Sequence, residues 1–179
     1  MGQYYNLKNI IDDFRLLVEK HKQINSFGCG DIKDLIFLTQ GKQNEQAISK
    51  DVVDNTTNGA PLYPLLYVIP QMANRDGGQI TYNFNVLICD IDNVKNKSIQ
   101  IDLWSDTLEM AEDVVAQFTY SVNEQQGDYY DKYDVVLPVN ITPFNEAYED
   151  KLFGWNIAIQ IIVDKPLNRC IAPFNNFED

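Results

Sequence analysis

The residue types that do chemistry are sparse in this chain. One histidine, His21, stands at the end of an apolar stripe, where it covers the edge of a core. With no second histidine, Ser-His-Asp and Cys-His arrangements must be built on it alone, and His-rich metal sites are excluded. Cys29, Cys89 and Cys170 are odd in number and form no C-x-x-C pair. They read as free thiols of a reducing compartment, not as a disulfide framework or zinc site. Cys29 lies between Gly28 and Gly30, but no neighbour in sequence is placed to activate it. Asp90 and Asp92, just past a strand end, have the spacing to share a divalent ion with a distant carboxylate. The favoured reading of both is a solvated loop start. There is no G-x-x-x-x-G-K-S/T phosphate loop, and around Gly28-Cys29-Gly30 the sequence predicts neither the strand nor the helix that such a loop joins. The expectation is a protein that is not an enzyme and uses no metal or cofactor.

The elements around these residues follow from their periodicity. Leu7, Ile10, Ile11, Phe14, Leu17, Val18 and His21 fall at helical spacing, with Asn6 placed as the cap and Asn25-Ser26 as the stop. Leu35-Ile36-Phe37-Leu38 reads as a short strand. The polar stretch from Gln40 to Gly59 reads as a long projecting loop, and such loops are commonly functional. A strand at Leu65–Ile69 is expected to end at Pro70. In Asn74-Arg75-Asp76-Gly77-Gly78, glycine is expected to supply the positive φ of a tight hairpin turn. Ile80, Tyr82, Phe84, Val86 and Ile88 then alternate with Thr81, Asn83, Asn85, Leu87 and Cys89, a strand with one wet face.

A second helix carries Trp104, Leu108, Ala111, Val115, Phe118 and Val122 on one stripe. Ser98 and Asp102 are both candidate caps, and spacing does not decide between them. Its outer face holds Asp106, Glu109, Glu112 and Asp113. Tyr133 to Ile141 alternates as a strand, at an edge or bulged because Pro138 cannot donate to a ladder. Pro143 to Asp150 links it to a central strand of Trp155, Ile157, Ile159, Ile161 and Val163. Residues 164–179 read as an irregular C-terminal tail. The order predicts an α+β domain over residues 1–179: a mainly antiparallel sheet of about five strands with two helices on one face.

Composition narrows the function. The 179 residues are 45% apolar and 22% charged, as in ordinary globular domains, and 14 Lys and Arg against 26 Asp and Glu leave a net charge of −12. A protein that wraps nucleic acid needs the opposite sign. Met1-Gly2-Gln3-Tyr4-Tyr5 shows no signal-peptide pattern, and the longest apolar stretches fall short of the roughly 20 residues that span a bilayer. No membrane association is expected, and the sequons at Asn55, Asn96 and Asn140 read as chance. Interaction features are stronger. Tyr4, Tyr5, Tyr63, Tyr129, Tyr130 and Tyr148 lie outside the core stripes, and tyrosine is enriched at protein interfaces. The wet strand faces carry Asn, Thr and Gln more than Lys or Glu, a surface suited to packing on another chain.

Tyr63-Pro64-Leu65-Leu66-Tyr67-Val68-Ile69-Pro70, Leu103-Trp104-Ser105-Asp106-Thr107-Leu108, Gly154-Trp155-Asn156-Ile157 and Arg169-Cys170-Ile171-Ala172-Pro173 follow one another within this order of elements. The combination resembles the tail-terminator and neck ring proteins of tailed bacteriophages, including those of crAss-like phages of Bacteroides-type hosts. The resemblance implies a structural virion protein, made in the host cytoplasm, that closes into a six-fold or twelve-fold ring. Its partners would be further copies and the adjacent neck, tail or portal proteins. DNA would pass through without specific binding, repelled by the acidic ring. Arg75, Asp76 and Gly77 on the hairpin, Gln43 and Asn44 in the long loop, and Phe174 and Phe177 in the tail are the candidate interface residues. Competing readings are an intracellular protein-binding adaptor and a metal-dependent hydrolase built on Asp90, Asp92 and the acidic helix.

Overall fold

The computed structural model describes residues 5–39, 53–54, 56–57, 60–91, 97–123, 133–146 and 152–167. Its elements run α1 (Leu7–Lys20), β1 (Ser26–Cys29), α2 (Ile32–Thr39), β2 (Val53–Asp54), β3 (Thr56–Thr57), β4 (Ala60–Pro61), β5 (Leu65–Arg75), β6 (Gln79–Ile91), α3 (Lys97–Asn123), β7 (Asp134–Val135), β8 (Asn140–Glu146) and β9 (Leu152–Asp164). A seven-stranded sheet runs β2-β1-β5-β6-β9-β7, with β8 also on β9, and β3 and β4 form a separate ribbon. Every pair in the sheet is antiparallel except β1 with β5. The fold is α+β and mainly antiparallel.

The first helix starts where its sequence says. The Asn6 side chain accepts the backbone N–H groups of Lys8 and Asn9, and the Asn9 side chain accepts that of Asn6 in return. Removing that pair of bonds with Asn6→Ala should cost about 1 kcal/mol, read as a lower urea midpoint with unchanged slope. The helix stops at Lys20, earlier than Asn25-Ser26, because His21 is extended and its ring Nδ1 takes the N–H groups of Gln23 and Ile24. Ser26 opens β1 instead.

Leu35–Leu38 lies in a helix, not a strand. Asp31 caps it, accepting the N–H groups of Lys33 and Asp34 on Oδ1, while Asp34 Oδ2 accepts the N–H of Asp31. That reciprocal cap outweighs the β-favouring Ile36 and Phe37. Gly28-Cys29-Gly30 therefore does join a strand to a helix, but the cap already occupies the helix amides. Within the segment Gln40 to Gly59, residues 40–52 lie outside the described residues. Val53 and Asp54 pair with Gly28 and Phe27 at the sheet edge, and Arg15 Nε holds Asp54 Oδ2 at 2.7 Å. That part of the segment belongs to the body.

The strand expected to end at Pro70 continues to Arg75. Its parallel neighbour reaches only Val68, so from Ile69 onward β5 is an edge and the missing proline N–H disturbs no ladder on that side. Register then slips: Pro70 faces Phe84 and Ala73 faces Tyr82, which sets Gln71 and Met72 against Asn83. Asn83 Nδ2 donates to the Met72 carbonyl at 2.6 Å and fastens this bulge. At the other edge, Tyr133–Ile141 is broken around Leu137-Pro138 into β7 and β8, and Pro143 and Phe144 belong to β8 where a link was expected.

Helices cover both faces of the sheet. On one face, α1 and α3 enclose the main core: Phe14 meets Phe84 and Phe118, with Val68, Val86, Ile157, Ile159 and Ile161 beneath. These are the two helices that the sequence predicts. The third helix lies opposite, where Leu35 packs with Leu65, Tyr67, Ile69, Leu87, Cys89 and Leu152. The outer side of β6 is therefore dry at Leu87 and Cys89 and wet only farther along. Among the described side chains of α3 the buried ones are Thr107, Met110, Ala111, Val114 and Phe118. The stripe is turned by about one residue from the purely apolar choice, because Thr107 Oγ1 donates to the Leu103 and Trp104 carbonyls and needs no water. The helix begins at Lys97, ahead of both Ser98 and Asp102.

Candidate assembly surface

Side chains alternate across the sheet, and the odd positions of β6 with the even positions of β8 and β9 point away from α1 and α3. Beyond the reach of α2 these outward positions form an uncharged field. Asn74 of β5 lies beside Thr81, and Thr81 beside Ile162; Asn83 faces Gln160; Asn85 faces Ala158, which faces Asn140; Asn156 faces Thr142. Ala158, Gln160, Asn140 and Thr142 are exposed. Among the described residues, carboxylates of this face stand at the rim, with Asp134 beside Ile162 and Asp164 opposite Gln79, whose Nε2 it accepts at 2.8 Å. Asn156 Oδ1 is, among the described residues, the one buried side-chain polar atom without a hydrogen bond.

The opposite layer has the reverse character. Asp102, Asp106, Glu109, Glu112 and Asp113 are exposed along α3, which carries no Lys or Arg after Lys97. The sheet thus separates a row of carboxylates from a neutral amide surface. The alternation in the sequence identified the wet strands; only the register shows that their amides join into one field.

The candidate interface residues fall in different places. Arg75, Asp76 and Gly77 form the tip of the β5–β6 arm, whose residues from Gln71 to Gln79 are all exposed. The turn is as expected, closed by Asp76 N–H to the Gln79 carbonyl at 3.1 Å, but Gly77 has no positive φ; among the described glycines only Gly154 does. Arg75 donates to the Lys165 carbonyl, and the N–H groups of Lys165 and Leu167 donate to Gly78 and Gly77. The tip is therefore fixed against the chain leaving β9. Met72, 72% exposed on the bulge, is the arm's apolar side chain that the sequence reading missed. Gln43, Asn44, Phe174 and Phe177 lie outside the described residues, as do Tyr4, Tyr129, Tyr130 and Tyr148. Tyr5 is half-buried and stacks on Tyr133, and Tyr63 flanks the core under α2.

The reactive residue types hold structural posts. His21 Nδ1 accepts two backbone N–H groups, which leaves Nε2 as the protonated nitrogen facing Asp113 Oδ2 at 3.3 Å, tying the end of α1 to α3. Burial pushes the Cys29 thiol up, with Arg15 opposing, and burial pushes Cys89 up much further, so neither is poised as a thiolate. Tyr67 is pushed up by burial and by Asp34, and its hydroxyl donates to the Asp31 carbonyl at 3.2 Å. Asp92 lies outside the described residues, and among those described no three His, Cys, Asp or Glu side chains are grouped to hold a metal ion. No helix of the described residues is long and apolar enough to cross a membrane.

Asp90 is the carboxyl group displaced by its surroundings. Burial raises its pKa, and the bond from the Ile91 N–H to Oδ1 at 2.7 Å offsets this in part. A carboxyl whose folded pKa lies above its unfolded value subtracts stability once ionised. That penalty is full above the raised pKa and vanishes below the ordinary carboxylate range. Asp90→Asn keeps the Oδ1 acceptor and should raise Tm at pH 7 by about 1–3 °C, a modest gain for a partly solvated group. The gain should disappear near pH 3; an equal gain at both pH values would refute this cause.

Comparison of the chain with protein-family models, with curated proteins and with solved structures found no match in any of the three.

Proposed function

We propose that the chain is a structural subunit of a ring at the neck or tail of a tailed bacteriophage, with no catalytic step of its own. The observation that carries this reading is the separation of charge by the sheet: exposed carboxylates along α3 on one side, neutral amides on the other. A ring around moving DNA needs a surface that repels phosphate and a different surface for its neighbours. A net charge of −12 per copy, repeated around a closed ring, supplies the first. In this reading the acidic charge of the ring keeps DNA from adhering in the passage, and the β5–β6 arm reaches the adjacent ring or portal.

The test is the mass of the purified protein by light scattering, followed by negative-stain imaging of the same sample. Closed rings with a central hole are the expected result. A strict monomer at every concentration would overturn the reading. Duplex DNA should not be retarded by the protein at low salt; retardation would contradict a passage that repels it.

A further inference from the structure

We infer that the neutral amide field on the outer side of β5, β6, β8 and β9 is the surface across which a second copy of this chain docks. This rests on the assembly reading above and names the contact within it. Three features of the molecule lead there.

The first is electrostatic. Two copies carry a net charge of −12 each, and contact through the α3 layer would bring like charges together in a shrinking layer of water. The amide field avoids this, with its described carboxylates at the rim.

The second is chemical. A sheet face that stays in water on a free-standing protein ordinarily carries Lys and Glu beside Thr, because charge keeps such a surface from associating. Here the centre holds Asn83, Asn85, Ala158 and Gln160. Asn83 Nδ2 is engaged with the Met72 carbonyl, but Asn85 and Gln160 bring further amide donors and acceptors, and removing an amide from water costs less than removing an ion. A small residue such as Ala158 lets a neighbouring surface approach closely.

The third is area. The field spans seven positions on β9, from Asn156 to Ile162, and fewer on the other three strands, so at about 4.8 Å between strands and about 3.4 Å per residue its face is on the order of 300 Å². A stable contact buries about 800 Å² on each partner, so the field alone is too small and its margin must contribute. The exposed arm from Gln71 to Gln79 borders the field through Asn74 and adds Met72 as an apolar anchor. Arg75, Asp76 and Gly77 then belong to the edge of the same contact.

The test compares Ala158→Arg with Glu109→Arg on the acidic helix, by light scattering across a hundred-fold range of concentration, with circular dichroism confirming that each is folded. The wild-type chain should show a multiple of its 20.6 kDa mass. Ala158→Arg should fall to the monomer mass or weaken association at least ten-fold, and Glu109→Arg should assemble as the wild type does. Gln160→Lys on the same field serves if Ala158→Arg does not fold. If the wild type associates and both field variants associate equally well, the field is not the contact, and the assembly reading survives without it. If the wild type is a monomer throughout, both fail. If the wild type associates through the field but imaging shows no ring, the contact stands and the ring reading falls.

Discussion

Gly154→Ala should lose at least about 3 kcal/mol of stability, enough to leave little folded protein in a chain whose total is on the order of 5–15 kcal/mol. Gly154 sits in β9 between Cys89 of β6 and Phe144 of β8, so backbone flanks it on both sides. Its φ of 149° is one that L side chains rarely adopt, and a Cβ there would lie 1.9 Å from the Ile88 carbonyl oxygen. Neither neighbour can withdraw without breaking its own ladder. Soluble yield and urea unfolding report the outcome, and a variant within about 1 kcal/mol of wild type would show that the strands separate freely. Gly77→Ala is the control. Nothing lies within 4 Å of a Cβ at Gly77, so the exposed turn should accept alanine with little change.

Phe14→Ala should cost about 3–5 kcal/mol and lower Tm on the order of 10 °C. The ring is fully buried, 4.2 Å from that of Phe118 and 5.8 Å from that of Phe84, measured between centroids. It is the point where α1, α3 and β6 meet, so truncation opens a cavity that no single element can close by shifting. Phe14→Leu should recover part of the loss. If alanine and leucine destabilise equally, the ring contacts matter and the volume does not.

Legibility in the sequence followed from how local each signal was. The first helix, the β6 alternation and β9 could be read directly because each pattern is longer than the interruptions within it. The helix α2 was missed because eight residues carry too few turns for a stripe, although Asp31 and Asp34 stood in capping position. β1 was missed because Ser26-Phe27-Gly28-Cys29 has no strand signature of its own; it is a strand because Leu65–Val68 lies beside it. Pro70 misled because its effect depends on whether a neighbour pairs on that side. The same applies to the amide field. The wet positions of β6 were visible, Asn74 and Thr142 were not read as strand residues, and the union across four strands is a property of register, which no single segment encodes.

The position of β9 has a consequence during synthesis. Among the described strands of the sheet it is the last to leave the ribosome, yet it lies between β6 and the pair β7 and β8, which join the sheet through it. About 70 residues separate the end of β6 from the end of β9, so at ordinary elongation rates the nascent chain waits roughly 4–15 s with that side of β6 open. During that interval Tyr82, Phe84, Val86 and Ile88 have no β9 beside them, and β7 and β8 have no sheet to join. Chains cut short before Leu152 cannot close the sheet at all. Until β9 is in place the sheet keeps an open edge along β6, and pairing with β9 is what removes it.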